Sequence, residues 1–291
     1  MTALLTPVAS NLAAVVETPE LGSHPFRVDR DGRSYVPTGD GGLVLGVRLG
    51  DGVFATDADH AAPGVCLVHR EQSARHALTA YACLGNPVTV RSGAAAGARG
   101  VVLGKRGELG RVIACFGPDV LAALAPGDQL VVRGYGQGSV SPGALGETVQ
   151  VRNVSPGALA LLPAEFGDGR VRVSVRGCVP SKVVGNGIGR PVEQWDLDLS
   201  VDSATAPALG LDQLALGDLV AVEDLDVRYN AGYRRGFCTV GLVVHGGSPQ
   251  PGHGPGLMPL LCGAAAAFEL AVDPAGHRGL SEAALLGYEG R

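Results

Sequence analysis

Apolar residues recur along the chain in short runs, either alternating with polar residues or gathered in Val- and Leu-rich blocks, and glycine, proline, asparagine or aspartate interrupts nearly all of them. Alternation with period two marks a strand with one face in a core, and a short unbroken apolar block marks a strand covered on both faces. The pattern predicts strands over 42–48, 64–68, 87–91, 100–103, 111–116, 129–133, 148–154, 170–176, 219–222 and 237–244. Helical spacing is rarer. It predicts helices over 71–82, over 155–162 behind a Ser-Pro start, over 209–214 and over the alanine-rich 258–271, with a short helical turn at 118–124. No helix recurs between strands as a crossover would, which argues against a doubly wound parallel sheet. The expected fold is mainly β with minor α, as two β-barrel-like halves with a few short helices.

One stretch of the pattern occurs twice. LAALAPGDQLVV at 121–132 lies on LDQLALGDLVAV at 211–222 with six identities and no gap. Each copy reads as an apolar helical turn, a Gly-Asp reversal and a β-branched exit strand, which either duplication of the halves or convergence on a common barrel unit produces. The Pro-, Gly- and Ser-rich 155–169 is the best boundary signal. It divides the chain into an N-terminal β-rich domain over 1–160 and a C-terminal β-rich domain over 161–291 with a terminal helix.

Composition narrows the function classes. At 291 residues and 46% hydrophobic the chain can bury a large core. A net charge of −5 offers no basic field for a phosphate backbone, so nucleic acid is not an expected partner. The six cysteines (Cys66, Cys83, Cys115, Cys178, Cys238, Cys262) show no CxxC or Cys/His ligand spacing and read as small buried hydrophobes. No basic residue precedes Arg27, unlike a secretory leader, and the uncharged apolar stretch at 257–268 is too short to span a bilayer. A cytoplasmic protein with no membrane partner is the expectation.

Chemistry-bearing residues gather in a few places. HGGSPQPGHGPG at 245–256 follows the apolar run 239–244 and carries two histidines, five glycines and three prolines. Proline stiffens such a loop, and glycine lets its backbone approach a ligand, so His245 and His253 could face one cavity with the amides of Gly254 and Gly256. A tight surface loop with solvated histidines would read the same way. Asp57, Asp59 and His60 form a second group, fit to hold a hard divalent ion or to make an aspartate-oriented histidine base. On a straight strand the two carboxylates would face away from His60, so convergence needs a turn, which Pro63-Gly64 favours; a solvated turn is the plain alternative. A GxGxG run at 185–189 neither follows a clear strand nor opens a helix, and nucleotide cofactors are therefore not expected. Trp195 reads as structural, while Asp196 fits either a binding wall or a strand edge. The run of Glu223, Asp224, Asp226, Tyr233 and Arg234 can bind a polar ligand or be a solvated connection. Hydrolase signatures such as Gly-x-Ser-x-Gly and His-Glu-x-x-His are absent.

Ordered matches extend over most of the chain: His24-Pro25, Asp59-His60, Pro63-Gly64, Gly85-Asn86, Gly104-Lys105, Gly127-Asp128, Gly134 to Gly138, Gly217-Asp218, Tyr233-Arg234, His245 and Gly252 to Gly256. On these the chain resembles the bacterial domain-of-unknown-function family 4438. The resemblance implies a site without implying an activity. Where that family reads Gly-Lys-His-Gly this chain has Arg106, and where it reads Asp-x-Asp-His this chain has Val227. If those histidines serve chemistry in the family, the two departures imply a different metal or substrate here, or the loss of part of the activity.

Together the residues point to an enzyme acting on a small polar metabolite by hydrolysis, lyase chemistry or isomerisation in a cleft between the halves. Asp59, His60, His245 and His253 are the candidate catalytic groups. Asn86, Lys105, Gln137, Tyr233, Arg234, Gly254 and Gly256 are the candidate substrate contacts, and Asp57, Asp59, His60 and His253 the candidate ligands for a divalent ion. A non-enzymatic metabolite-binding β-barrel module and a structural homo-oligomer are the competing classes.

Overall fold

The computed structural model describes residues 8–138, 148–274 and 279–288. The first half is built on β1 (Ser10–Val16), the two-residue strands β2 (Arg27–Val28), β3 (Ser34–Tyr35) and β4 (Leu43–Val44), β5 (Gly64–Val68), helix α1 (Gln72–Tyr81), β6 (Pro87–Val90), β7 (Arg99–Arg106), β8 (Arg111–Cys115), the short helix α2 (Pro118–Ala123) and β9 (Gln129–Gly134). Its main sheet runs β1-β9-β6-β7-β8-β5-β4, and β1 also pairs with β5, so six strands close into a barrel.

The second half follows with β10 (Val149–Val151), β11 (Ala164–Gly167), β12 (Arg170–Val175), β13 (Gly177–Pro180), β14 (Leu197–Asp198), β15 (Leu219–Asp226), β16 (Gly232–His245), β17 (Gly256–Ala264), β18 (Phe268–Val272) and helix α3 (Glu282–Leu286). Its larger sheet has the order β10-β17-β16-β15-β13 with β14 also on β17, and a smaller one runs β11-β12-β18. The fold is mainly β, as the alternation predicts.

Burial explains which strands alternate and which do not. In β1 and β9 one face lies in the barrel interior, through Leu12, Ala14, Val16, Leu130 and Val132, and the other meets solvent. By contrast β5, β7 and β8 are covered on both sides. Val65, Leu67, Val102, Val112 and Ala114 fill the barrel, while Cys66, Val101, Leu103, Ile113 and Cys115 join the core of the second half. An unbroken apolar run is the sequence mark of that position.

The predicted helix over 258–271 is corrected: the segment is β17, a short 3₁₀ turn at Ala265–Ala267, and β18. An apolar run buried on all sides gives no periodicity to separate strand from helix. Pro259 lies opposite Gly241 at a register slip, which is where a central strand tolerates proline. The repeated GD stretch does form one physical unit twice. Gly127 and Gly217 are both left-handed, at φ +87° and +92°. Asp128 and Asp218 each accept from the amide three residues earlier, at Ala125 and Ala215, both at 2.9 Å.

Candidate functional site

Three neighbouring strands assemble the centre of the site. His245 ends β16 and stands opposite Gly256 at the start of β17, and Gly256 in turn stands opposite Asp198 of β14. The middle strand contributes no side chain here, so an imidazole and carboxylates from either side meet above it. A Cβ at Gly256 would lie 2.0 Å from His245 Nε2 and 2.6 Å from Asp196 Oδ2. Glycine is required for space, since its φ is not among the positive values. Asp196 precedes Asp198 by two residues and so shares its face.

The Gly/Pro loop between β16 and β17 brings in His253. It is seated against the 185–199 segment: Asn186 N donates to Gly252 O at 2.9 Å and Leu199 N to Pro255 O at 2.9 Å. A Cβ on Gly254 would stand 1.8 Å from Leu199 O. His60 comes from the first half on a turn in which its own φ is +55°, with its amide bonded to Gly247 O at 2.9 Å. That left-handed residue is the turn the sequence demanded for Asp59 and His60 to meet. Glu108 follows β7 and supplies the remaining carboxylate.

The atoms converge closely. His60 Nε2 lies 3.1 Å from His253 Nδ1, His253 Nδ1 lies 3.2 Å from Asp198 Oδ2 and 3.8 Å from Glu108 Oε1, and His60 Nε2 lies 4.0 Å from Asp198 Oδ1. Edges of roughly 3.0–3.4 Å are expected between ligands around an ion with bonds near 2.1 Å. One atom from each of His60, Glu108, Asp198 and His253 falls within 4.8 Å of every other, and the same holds for Asp196, Asp198 and His245. His60, His245, Asp196 and Asp198 are buried, whereas His253 and Glu108 keep 22% and 24% side-chain exposure and form the accessible side.

Outer groups orient both buried imidazoles. Asp59 Oδ1 is 2.7 Å from His60 Nδ1, a contact too bent for a well-aligned hydrogen bond yet close enough to favour a proton on Nδ1. Gly246 O is 2.9 Å from His245 Nδ1. In both cases Nε2 is turned into the cluster, that of His60 toward His253 and Asp198 and that of His245 toward Asp196 and Asp198; an outer acceptor at Nδ1 with Nε2 facing inward is the orientation a metal-ligating histidine takes. Asp59 is itself held by Arg27 at 3.1 Å and by the Tyr35 hydroxyl at 2.9 Å.

Burial pushes the Asp59 carboxyl upward, but His60, Ser248 and Tyr35 together hold it well below the usual carboxylate range. Burial lowers the pKa of His60. Asp198 raises that of His253. Behind these, Arg106 binds Asp40 at 2.7 Å and approaches Glu108 at 3.2 Å, and Arg111 binds Glu17 at 2.8 Å and Asp40 at 3.1 Å. Arg106, at the position where the family pattern has histidine, is thus part of the wall of the site. Val227 is buried in the core instead.

Several sequence expectations are redistributed. Asp57 is exposed and outside both ligand groups, and Asp59 serves behind His60 rather than beside it. Lys105 and Arg106 are adjacent on β7, so their side chains leave on opposite faces. Lys105 Nζ instead donates to Thr79 O, Asn153 Oδ1 and Glu193 O at 2.6, 3.0 and 2.8 Å. Gln137 bonds Asn153 and Asn86 bonds Tyr135 in that same separate polar knot. Tyr233 and Arg234 lie near the start of β16, before a register shift, and their side chains bond Val184 O and Asp226 rather than the histidine–carboxylate cluster. Asp196, Asp198 and Glu108 are the additions; the period-two DxD was the signal for the first two. A cavity of about 400 Å³, lined by Arg75, His76, Thr79, Glu108, Gln194 and Trp195 among others, opens beside Glu108.

The class defined by this fold and site is a mainly β protein with a closed six-strand barrel and a buried histidine–carboxylate cluster supplied by both halves. Its family follows from direct comparison. Residues 26–160 match the domain of unknown function DUF4438, N-terminal, and residues 158–277 match its C-terminal counterpart, so the chain belongs to the DUF4438 family. The crystal structure of TM1086 is similar, at 30% identity and a TM-score of 0.86 over 93% of this chain and 95% of that one. No curated protein matches the sequence.

Proposed function

We propose that the protein is a divalent-metal-assisted enzyme acting on a small polar metabolite that bears a carboxylate or amide. One observation carries the reading: His60 and His245, both buried, have Nδ1 beside an outer acceptor and Nε2 turned into the cluster, toward His253 and Asp198 for the first and Asp196 and Asp198 for the second. His60, His253, Asp198 and Glu108 are the ligand set for one ion. An ion there polarises a substrate oxygen and lowers the pKa of a bound water, which serves hydrolysis, lyase and isomerase chemistry alike. The excess of carboxylates over guanidinium groups supports a cation: Glu17, Asp40, Asp59, Glu108, Asp196 and Asp198 face Arg27, Arg106 and Arg111.

Substrate enters from the Glu108 side, through the cavity bordered by Trp195. Glu108 and His253, as the exposed members, are the groups placed to exchange protons with it. All six cysteines are free thiols, in keeping with the reducing cytoplasmic setting proposed for the chain. Among the described residues no helix is long and apolar enough to cross a membrane.

The test is elemental analysis of the purified chain, followed by assay of the metal-loaded protein on a panel of small carboxylates and amides. His60→Ala and His253→Ala should each lower turnover at least 100-fold while circular dichroism stays unchanged. A chain that binds no divalent ion, or turnover unaltered in both variants, removes the proposal. Saturable ligand binding without turnover by any metal-loaded form would instead identify a binding module.

A further inference from the structure

We infer that the site holds a second divalent cation, on His245, Asp196 and the far oxygen of Asp198, so that Asp198 bridges two ions. This rests on the single-ion reading above and extends it.

The setting of His245 is the first argument. Its ring is fully buried, and Nδ1 lies 2.9 Å from Gly246 O, which accepts and so demands a proton on Nδ1. Nε2 lies 2.8 Å from Asp196 Oδ2 and 3.6 Å from Asp198 Oδ1, so it faces two buried carboxylates. Two buried carboxylates need a positive charge beside them: an imidazolium proton on Nε2 would satisfy Asp196 alone, whereas a cation bound at Nε2 would satisfy Asp198 Oδ1 as well.

Asp198 supplies the second argument. Its two oxygens are directed to different partners. Oδ2 accepts from Asn186 at 3.0 Å and lies 3.2 Å from His253. Oδ1 is buried and has no hydrogen-bond partner, although a buried carboxylate oxygen left unpaired is costly. It stands between the Nε2 atoms of His245 and His60, at 3.6 and 4.0 Å. A cation on the His245 side satisfies it.

Space and preorganisation agree. Gly256 leaves clear the volume beside His245 Nε2 and Asp196 Oδ2 that any side chain would fill. Asp196 is fixed through its other oxygen, which accepts from Gly107 N at 2.9 Å, so Oδ2 is held in place. One imidazole and two carboxylates make a borderline-to-hard donor set of the kind that suits manganese or zinc. In a paired site the two ions can grip both the attacked and the departing oxygen of a substrate, which a single ion does not do.

Manganese is the probe. The full chain, stripped with chelator, is titrated with Mn²⁺ and followed by calorimetry and electron paramagnetic resonance. The expected result is two Mn²⁺ per chain with a spin-coupled multiline spectrum whose hyperfine spacing is halved. Asp196→Asn, nearly isosteric, and His245→Ala should each reduce the count to one and restore the six-line spectrum of an isolated ion. One uncoupled Mn²⁺ in the unmodified chain overturns this inference and leaves the single-ion enzyme standing, with His245 then an imidazolium paired to Asp196. No binding of Mn²⁺, and none of Zn²⁺ in a parallel titration, overturns both.

Discussion

Gly256 contributes to the site by lacking a side chain. It lies between the residues that bear His245 and Asp198 on neighbouring strands, and a methyl group there would overlap His245 Nε2 and Asp196 Oδ2. Gly256→Ala is therefore expected to force that pair apart at a cost of about 1–3 kcal/mol, typical of overpacking. Mn²⁺ stoichiometry and urea unfolding, measured together, check it: metal binding should fall more steeply than stability. Unchanged binding would mean that the His245–Asp196 contact is dispensable. At the same scale, His60 reaches its partners through a left-handed backbone. That conformation leaves no mark on apolar periodicity, although neighbouring Pro63-Gly64 signals that the chain turns.

Among the secondary elements, the knot around Lys105 ties α1 and β7 of the first half to Glu193 of the second, through Thr79, Asn153 and the Glu193 carbonyl. Its three acceptors are neutral oxygens, and burial lowers the pKa of the amine from 10.5 to about 8. The folded state therefore releases the Lys105 proton while the unfolded state keeps it, over the interval from about pH 8 to 10.5. Because the unfolded chain binds more protons there, this group makes stability rise with pH across that window, by up to about 1.4 kcal/mol per unit. Below about pH 8 both states are protonated and the burial cost is paid in full. Urea unfolding of the parent chain and of Lys105→Met from pH 7.5 to 10 separates this term: the parent should gain stability relative to Lys105→Met as pH rises, and parallel curves would refute it. Sequence position pointed to Lys105 as a substrate contact, but strand alternation next to Arg106 sends it the other way.

Across the whole molecule, the two halves share one core. Val101, Leu103, Ile113 and Cys115 from barrel strands pack with Val220, Val240, Leu257 and Leu261 from the larger sheet. Moreover β10, which precedes the sequence boundary, pairs with β17, which follows it. Residues 1–160 expressed alone would expose the outer faces of β5, β7 and β8 and leave β10 unpaired. The expected outcome is a fragment without cooperative unfolding or near-ultraviolet dichroism, recovered at least in part when 161–291 is supplied in trans. Independent cooperative folding of 1–160 would count against the shared core. The candidate site has the same dependence, since His60 and Glu108 come from one half and Asp196, Asp198, His245 and His253 from the other.

Alternation and turn residues were enough to establish from the chain alone a β-rich fold and most strand positions, and to mark His60, His245 and His253 as candidates, because those signals are local: a strand's period and a glycine's freedom are written within a few residues. The path of 258–271, the retreat of Asp59 to a supporting position, the exposure of Asp57 and the entry of Asp196, Asp198 and Glu108 depended on folding. They are set by which strand lies beside which and by what fills the space between them. Three side chains meeting over a bare Gly256 is a property of strand register, and register is a long-range quantity that no short window of sequence contains.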